Sequence, residues 1–283
     1  MPTSVIASVD GGTIVGTRAG SGAPTLVLHG GPGISDYTEG LEDELADVCE
    51  LVRYTQRGVE PSATSGPFTV EQHVADAVAM LDAAGWDRAW VLGHSWGGHL
   101  AMHLATEHPD RLLGVISVSA LGSAGDGGAA EFEAEMFART PPADRDRAEE
   151  LDKRAMAGLG TEEEALESLR MVWRAYFAHP ENATPMPPMR LSVPCYAETF
   201  ESLTAHLDAG YLERRLPDLA LPALIVHGRR DPIPYSSAEQ TAALLRDASL
   251  EPIEDCGHIP WLEQPGQLRR HIAGFLAAHR PPQ

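Results

Sequence analysis

The sequence predicts an α/β protein: a mostly parallel sheet with helices on both faces and a helical cap inserted late in the chain. Three observations carry this. Short apolar runs alternate with helical patterns from Thr25 to Leu121, which is how a parallel sheet covered on both faces reads. The alternation breaks at about residue 122, and from there to about residue 216 the chain is almost wholly helical and acidic. Strand and helix patterns then resume to the end. The expected organisation is a discontinuous core, 1–121 and 217–283, carrying a cap at 122–216.

In chain order, "SVIASV" and "TIVGTRA" flank Asp10-Gly11-Gly12, the turn chemistry of a hairpin. "TLVLHG" is a strand running into a Gly/Pro loop, "DYTEGLEDELADV" has a mixed helical pattern, and "LVRYTQRG" is again a strand. "TVEQHVADAVAMLDAAG" opens on Thr69, a good N-cap, and closes on Gly85, a good residue just past a helix end. "AWVLGHS" is the next strand, "WGGHLAMHLATEHP" a helix stopped by Pro109, and "LLGVISVSAL" a fully buried strand. Within the cap, "TEEEALESLRMVWRAYFA" is the best helix. Thr161 and Glu164 form a capping-box pattern there, and Leu166, Leu169, Trp173, Tyr176 and Phe177 are expected on one face. "LPALIVHGRRD", "SSAEQTAALLRD", "SLEPIEDCGH" and "PGQLRRHIAGFLAAHR" close the chain as strand, helix, strand, helix.

Bulk properties narrow the function classes. The 283 residues are 43% hydrophobic, enough for one large domain with an insertion. A formal charge of −20, with Lys153 the only lysine, repels phosphate backbones and anionic lipid. Nucleic acid and membrane surfaces are therefore not expected partners; a small molecule or short peptide is, and the oligomeric state stays open. Cys49, Cys195 and Cys256 lie far apart, so reduced structural thiols are expected and no metal site. The first twenty residues lack a basic segment followed by a long apolar one, which predicts a cytoplasmic protein without a secretory signal.

The chemistry centres on "GHSWG", a G-x-S-x-G pattern. Alone it is weak, but here it ends a strand and opens a helix, a sharp turn that lifts Ser95 out of the backbone. A serine hydroxyl needs a base, and an imidazole needs a carboxylate to hold its tautomer. "ALIVHGRRDP" and "LEPIEDCGHIP" supply them at two later strand ends, giving the chain order Ser95, Asp231, His258. Of the nearby rivals, His227 lies within its strand and Asp255 is too close to His258, so structural roles are expected for both. Glu254 and Glu263 are the other neighbouring acids. The loop "HGGPG", His29 to Gly33, lacks the lysine of a phosphate cradle. A better use is an oxyanion hole built from the N–H groups of Gly31 and Trp96, with His29 bracing the loop.

With these segments in place the chain resembles the α/β-hydrolase fold family, and within it the proline iminopeptidase-like branch. "HGGPG" and "GHSWGG" are similar to that branch's loop and elbow, and "YTQRG" to its Y-D-Q-R-G strand end. "GRRDP" and "CGHIPWLEQP" are similar to its acid and histidine segments. In that branch, enzymes that remove N-terminal proline hold the substrate amine with cap carboxylates, one typically in a W-x-x-W-E segment. The matching stretch is "WRAYF", with Phe177 at the glutamate position; Thr55 replaces the strand-end aspartate and Glu60 a nearby glycine. An unpaired buried ammonium costs on the order of several kcal/mol, so this departure argues against strict aminopeptidase specificity. Glu198 and Glu201 could substitute, or form a solvated helix face. Trp173, Tyr176, Phe177 and Tyr196 could line an apolar acyl or leaving-group pocket, or simply pack cap against core. Met186 and Met189 read as a cap joint, a candidate gate.

The sequence thus predicts a serine hydrolase of small esters or amides that needs no cofactor. An N-terminal proline aminopeptidase is the nearer alternative, and a hydrolase-fold ligand receptor with little turnover the more distant one. Haloalkane dehalogenase and epoxide hydrolase chemistry is disfavoured, because those relatives carry an aspartate where this chain has Ser95.

Overall fold

The structure, a computed structural model, describes residues 2–279. Strands β1 (Thr3–Val9) and β2 (Gly12–Gly20) form the expected hairpin, with Val9 paired to Gly12 across a two-residue Asp10-Gly11 turn. Gly11 sits at φ +84°, a conformation closed to most side chains. The remaining strands are β3 (Ala23–Leu28), β4 (Cys49–Thr55), β5 (Ala89–His94), β6 (Leu112–Val118), β7 (Ala223–Gly228) and β8 (Ala248–Ile253). They join one eight-stranded sheet in the order β1-β2-β4-β3-β5-β6-β7-β8. Pairing is antiparallel from β1 through β2 to β4 and parallel everywhere else.

That order reverses beside β3. The chain steps from β3 outward to β4, then crosses back to place β5 on β3's other side. The loops after β3 and β5 therefore diverge, and the crevice between them is where such sheets place ligands.

Alternation along the strands feeds two cores. Leu26, Leu28, Val52, Tyr54 and Val91 face one side, packed with α2 (Val70–Ala83) and α3 (Trp96–Glu107). Val27, Leu51, Leu92 and Ile116 face the other, with α1 (Gly40–Leu45) and the C-terminal helix. The helix starts and stops follow local chemistry. Thr69 Oγ1 accepts from the Gln72 N–H, and Gly85 follows α2 at φ +72°.

Between β6 and β7 the chain forms α4 (Ala129–Arg139), α5 (Pro142–Met156), α6 (Glu162–Val172), α7 (Val193–Asp208) and α8 (Tyr211–Arg215). The Thr161–Glu164 capping box is formed in both directions. After β7 come α9 (Tyr235–Leu244), α10 (Pro260–Glu263) and α11 (Gln267–Ala278). No helix among the described residues is long and apolar enough to cross a membrane.

One expectation needs correction. The helix from Thr161 does not run through Phe177: α6 ends at Val172, tightens to a 3₁₀ turn over Trp173–Tyr176, and leaves Phe177 extended at φ −90°, ψ 145°. The reason is tertiary. The Tyr176 carbonyl accepts the His258 N–H at 2.8 Å, and a Cβ on Gly257 would collide with that carbonyl. The backbone of this segment is used to hold the histidine loop instead of continuing a helix.

The core also carries buried polar groups. Arg57, in the "YTQRG" segment, forms a two-pronged pair with Asp76 at 2.7 and 2.8 Å, both side chains essentially without solvent contact. Its remaining donors reach the carbonyls of Asp10 and Ser65. Arg57→Met should therefore strand the Asp76 charge and cost about 3–5 kcal/mol in urea unfolding. The double variant with Asp76→Leu should recover much of that loss.

Burial, the largest cause in each case, holds His29, His73, His94, His99, His103 and His227 below the ordinary histidine pKa. For His73 and His94 the value falls to about 3, and for His99 to about 4. Above the unfolded value of about 6.5 both states are neutral at these positions. Below it the unfolded chain takes up protons that the folded chain refuses, so stability falls with pH. Thermal unfolding is expected to shift steeply downward between pH 7 and about 5; a flat profile would mean these rings are not held neutral.

Candidate active site

Ser95 stands at φ 57°, ψ −124°, between β5 and α3. A non-glycine residue at positive φ costs about 1–3 kcal/mol and persists only where its surroundings over-determine it. Here they do. A Cβ on Gly93 would collide with the Gly97 carbonyl, and one on Gly97 with the carbonyl of Leu28 on β3. A Cβ on Gly98 would lie 2.5 Å from that of Ala120, just past β6. The Ser95 N–H is held by the Val118 carbonyl at 3.0 Å. Ser95 is half-buried, whereas its immediate neighbours on both sides are buried.

Asp231 lies in the loop after β7 and His258 in the loop after β8. His258 Nδ1 is 3.0 Å from both Asp231 carboxylate oxygens. A carboxylate only accepts, so Nδ1 carries the proton and Nε2 is left as the basic atom. Burial alone would raise the Asp231 pKa. The neighbouring His258 and His227, the His258 hydrogen bond and the Ile233 N–H outweigh it and hold the carboxyl below its ordinary range. His227 is itself buried, with Nε2 on the Ile233 carbonyl at 2.9 Å. Asp255 turns the chain at φ 53° and meets His179, away from His258.

Ser95 and His258 line one cavity of about 130 Å³, and Gly31 and Trp96 line it too. Gly31 sits at φ 53°, and a Cβ there would press on Ile34. At the start of α3 the Trp96 N–H has no partner within the helix, as for any first-turn residue. Gln56 braces both elements: its Nε2 donates to the His29 carbonyl at 2.8 Å and its Oε1 accepts the Trp96 indole N–H at 2.9 Å. The His29 ring braces the loop as expected, Nε2 accepting from the Gln56 N–H and Nδ1 donating to the Gly30 carbonyl.

The helices between β6 and β7 supply most of the other walls. Trp173, Tyr176 and Tyr196 line the cavity, together with Phe132, Leu169, Met189 and Phe200. Phe177 does not line it: extended and buried, it packs edge-on against Trp173. Glu198 does not either, since it lies on the exposed side of α7; Glu201 is exposed as well. The joint at Met186–Met189 is fastened at its far end. Ile34 bridges to Leu191, the Ser35 N–H donates to the Arg190 carbonyl, and the Ser192 N–H to the Gly33 carbonyl.

Several contributors were not legible in the sequence. Glu263 accepts three backbone N–H groups, from Ala178, Gly257 and Ile259 at 2.7–3.1 Å, and so staples the histidine loop to the segment that follows Tyr176. His94 and Tyr37 meet at 2.6 Å inside the cavity wall. Asp152, on α5, reaches an adjoining chamber of about 110 Å³ that shares Gly31, Ile34, Leu169, Tyr176 and Tyr196 with the first. Burial raises its pKa, against the Tyr196 hydroxyl donated at 3.1 Å. Only the CGHIPWLEQP resemblance hinted at Glu263. Untying the loop with Glu263→Ala should slow fluorophosphonate labelling of Ser95 by about tenfold to a hundredfold with the fold intact. An unchanged labelling rate would show that the loop holds itself.

Comparison with known proteins agrees with this architecture. The family model for the α/β-hydrolase fold matches residues 24–265. The chain is 27% identical over 279 residues to a proline iminopeptidase of Lactobacillus delbrueckii subsp. bulgaricus, covering 90% of each chain. It is 26% identical over 277 residues to a 2-hydroxymuconate semialdehyde hydrolase of Pseudomonas putida, covering 91% of this chain and 88% of the relative. Among solved structures, the proline iminopeptidase of Mycobacterium smegmatis superposes with a TM-score of 0.70 at 22% identity, over 98% of both chains. The chain belongs to the α/β-hydrolase fold family.

Proposed function

We propose that this protein is a serine hydrolase that cleaves a small ester or amide through an acyl-enzyme. The observation that carries the reading is His258, held through Nδ1 by Asp231 and lining the same cavity as Ser95. Ser95 Oγ attacks the substrate carbonyl while His258 Nε2 takes its proton. The Gly31 and Trp96 N–H groups receive the oxyanion, and buried Asp231 stabilises the imidazolium. His258 returns the proton to the leaving alcohol or amine, then takes one from water as that water attacks the acyl-enzyme. The cavity wall of Phe132, Trp173, Tyr176 and Phe200 favours an apolar acyl or leaving group.

The relatives named proline iminopeptidase support a narrower reading, an aminopeptidase releasing N-terminal proline. That reading needs an anion for the substrate amine. Glu198 and Glu201 do not meet the cavity, so the carboxylate that could serve is Asp152, in the adjoining chamber.

Hydrolysis of proline p-nitroanilide and short-chain p-nitrophenyl esters should be compared, with Ser95→Ala as the blank. Ester turnover lost in Ser95→Ala is expected, by about a thousandfold or more. If the anilide is also cleaved, Asp152→Asn should lower anilide kcat/KM by about tenfold or more while sparing the ester. Absence of Ser95-dependent turnover and of fluorophosphonate labelling would instead favour a ligand receptor.

A further inference from the structure

We propose that Tyr37 and His94 form a positioning relay that holds the catalytic histidine's backbone from the nucleophile's side, and that turnover depends on it. The inference rests on the serine-hydrolase reading above and goes beyond it.

His94 is the residue before Ser95, the last of β5, and it is fully buried. Both of its ring nitrogens are engaged. Nε2 lies 2.7 Å from the main-chain carbonyl of His258, and Nδ1 lies 2.6 Å from the Tyr37 hydroxyl. A carbonyl oxygen can only accept, so Nε2 must carry the hydrogen. Nδ1 of the neutral ring is then an acceptor, and the Tyr37 hydroxyl must donate to it. The tautomer is fixed by its partners. Burial, with His258 alongside, keeps this ring neutral.

The geometry places the relay beside the reacting groups. The His94 and His258 rings are 4.7 Å apart, centre to centre. His258 is thereby held at four points: its carbonyl by His94, its N–H by the Tyr176 carbonyl, its Nδ1 by Asp231, and its ring face by the Tyr176 ring at 5.1 Å. Nε2 remains for chemistry. The relay also reaches the loop that carries Gly31, because a Cβ on Gly30 would collide with the Tyr37 hydroxyl. Residues 164 positions apart in the chain, His94 and His258, are thus tied so that the elbow and the histidine loop move together.

A neutral imidazole is suited to this place. It donates one hydrogen to a carbonyl without adding positive charge beside a ring that must itself become positive during turnover. A positively charged side chain here would oppose that step. A purely apolar one would leave the His258 carbonyl without its donor and free the loop.

The test compares His94→Leu, His94→Gln and Tyr37→Phe on an ester substrate, alongside proton NMR of the His258 Nδ1–H shared with Asp231. The Gln amide can restore a donor toward the His258 carbonyl. His94→Leu should lower kcat by about a hundredfold, as misplacement of a reacting group does, with KM within about threefold. Its downfield Nδ1–H resonance should broaden or vanish. His94→Gln should restore most of the loss and the resonance, and Tyr37→Phe should cost up to about tenfold in kcat. A folded His94→Leu with unchanged kcat and resonance overturns the relay. A His94→Gln as impaired as His94→Leu does so too. The resonance reads the relay without turnover, so failure of the serine-hydrolase reading, visible as activity that survives Ser95→Ala, is separate.

Discussion

Backbone has to touch backbone where β5 turns into α3, and the site is organised around that contact. Gly93, Gly97 and Gly98 remove three side chains from the junction. Without them α3 could not approach β3 and β6 closely enough to trap Ser95 in its unfavourable conformation. The strain is carried by the packing of neighbouring strands, which places the hydroxyl at the point where the strand order reverses. Everything else in the crevice is arranged against this fixed point.

The surrounding loops are held by buried and half-buried polar side chains that direct their hydrogen-bonding capacity to main chain. Gln56 joins the loop after β3 to the Trp96 indole, Glu263 gathers three N–H groups of the histidine loop and of Ala178, and His94 grips the His258 carbonyl. In the dry interior such bonds are stronger than in water, and leaving one partner unmatched is correspondingly costly. The many neutral imidazoles suit the same surroundings. They offer one donor and one acceptor without the desolvation cost of an ion.

How much was legible in the sequence depended on the range of the physics. The alternating sheet pattern, the hairpin turn, the Thr69 cap and the Thr161–Glu164 box are encoded within a few residues, and each was readable. The elbow was readable because its glycines lie beside the serine. The end of α6 was not, because Trp173–Tyr176 gives up α-helical geometry to meet a loop some eighty residues further on. For the same reason helical spacing puts Phe177 on the aromatic stripe while tertiary packing turns it into the core, and of the two roles open to Glu198 the structure shows the solvated helix face. Tyr37, His94, Gln56, Asp152 and Glu263 look like ordinary loop, strand or helix residues in sequence. Their partners are set by the packing of the sheet against the helices between β6 and β7, which no local pattern records.

The lacing of Gly33–Ser35 to Arg190–Ser192 has a consequence for how the molecule could admit a ligand. The strap that leads into α7 and the turn bearing Gly31 are hydrogen-bonded as a single ribbon. A hinged lid usually leaves the machinery beneath it intact. Here, lifting the strap drags the turn with it, so a gaping conformation would also be a disassembled one. Entry by side-chain breathing among the aromatic walls leaves that ribbon whole, whereas a wider opening breaks its hydrogen bonds and shifts the turn that lines the cavity.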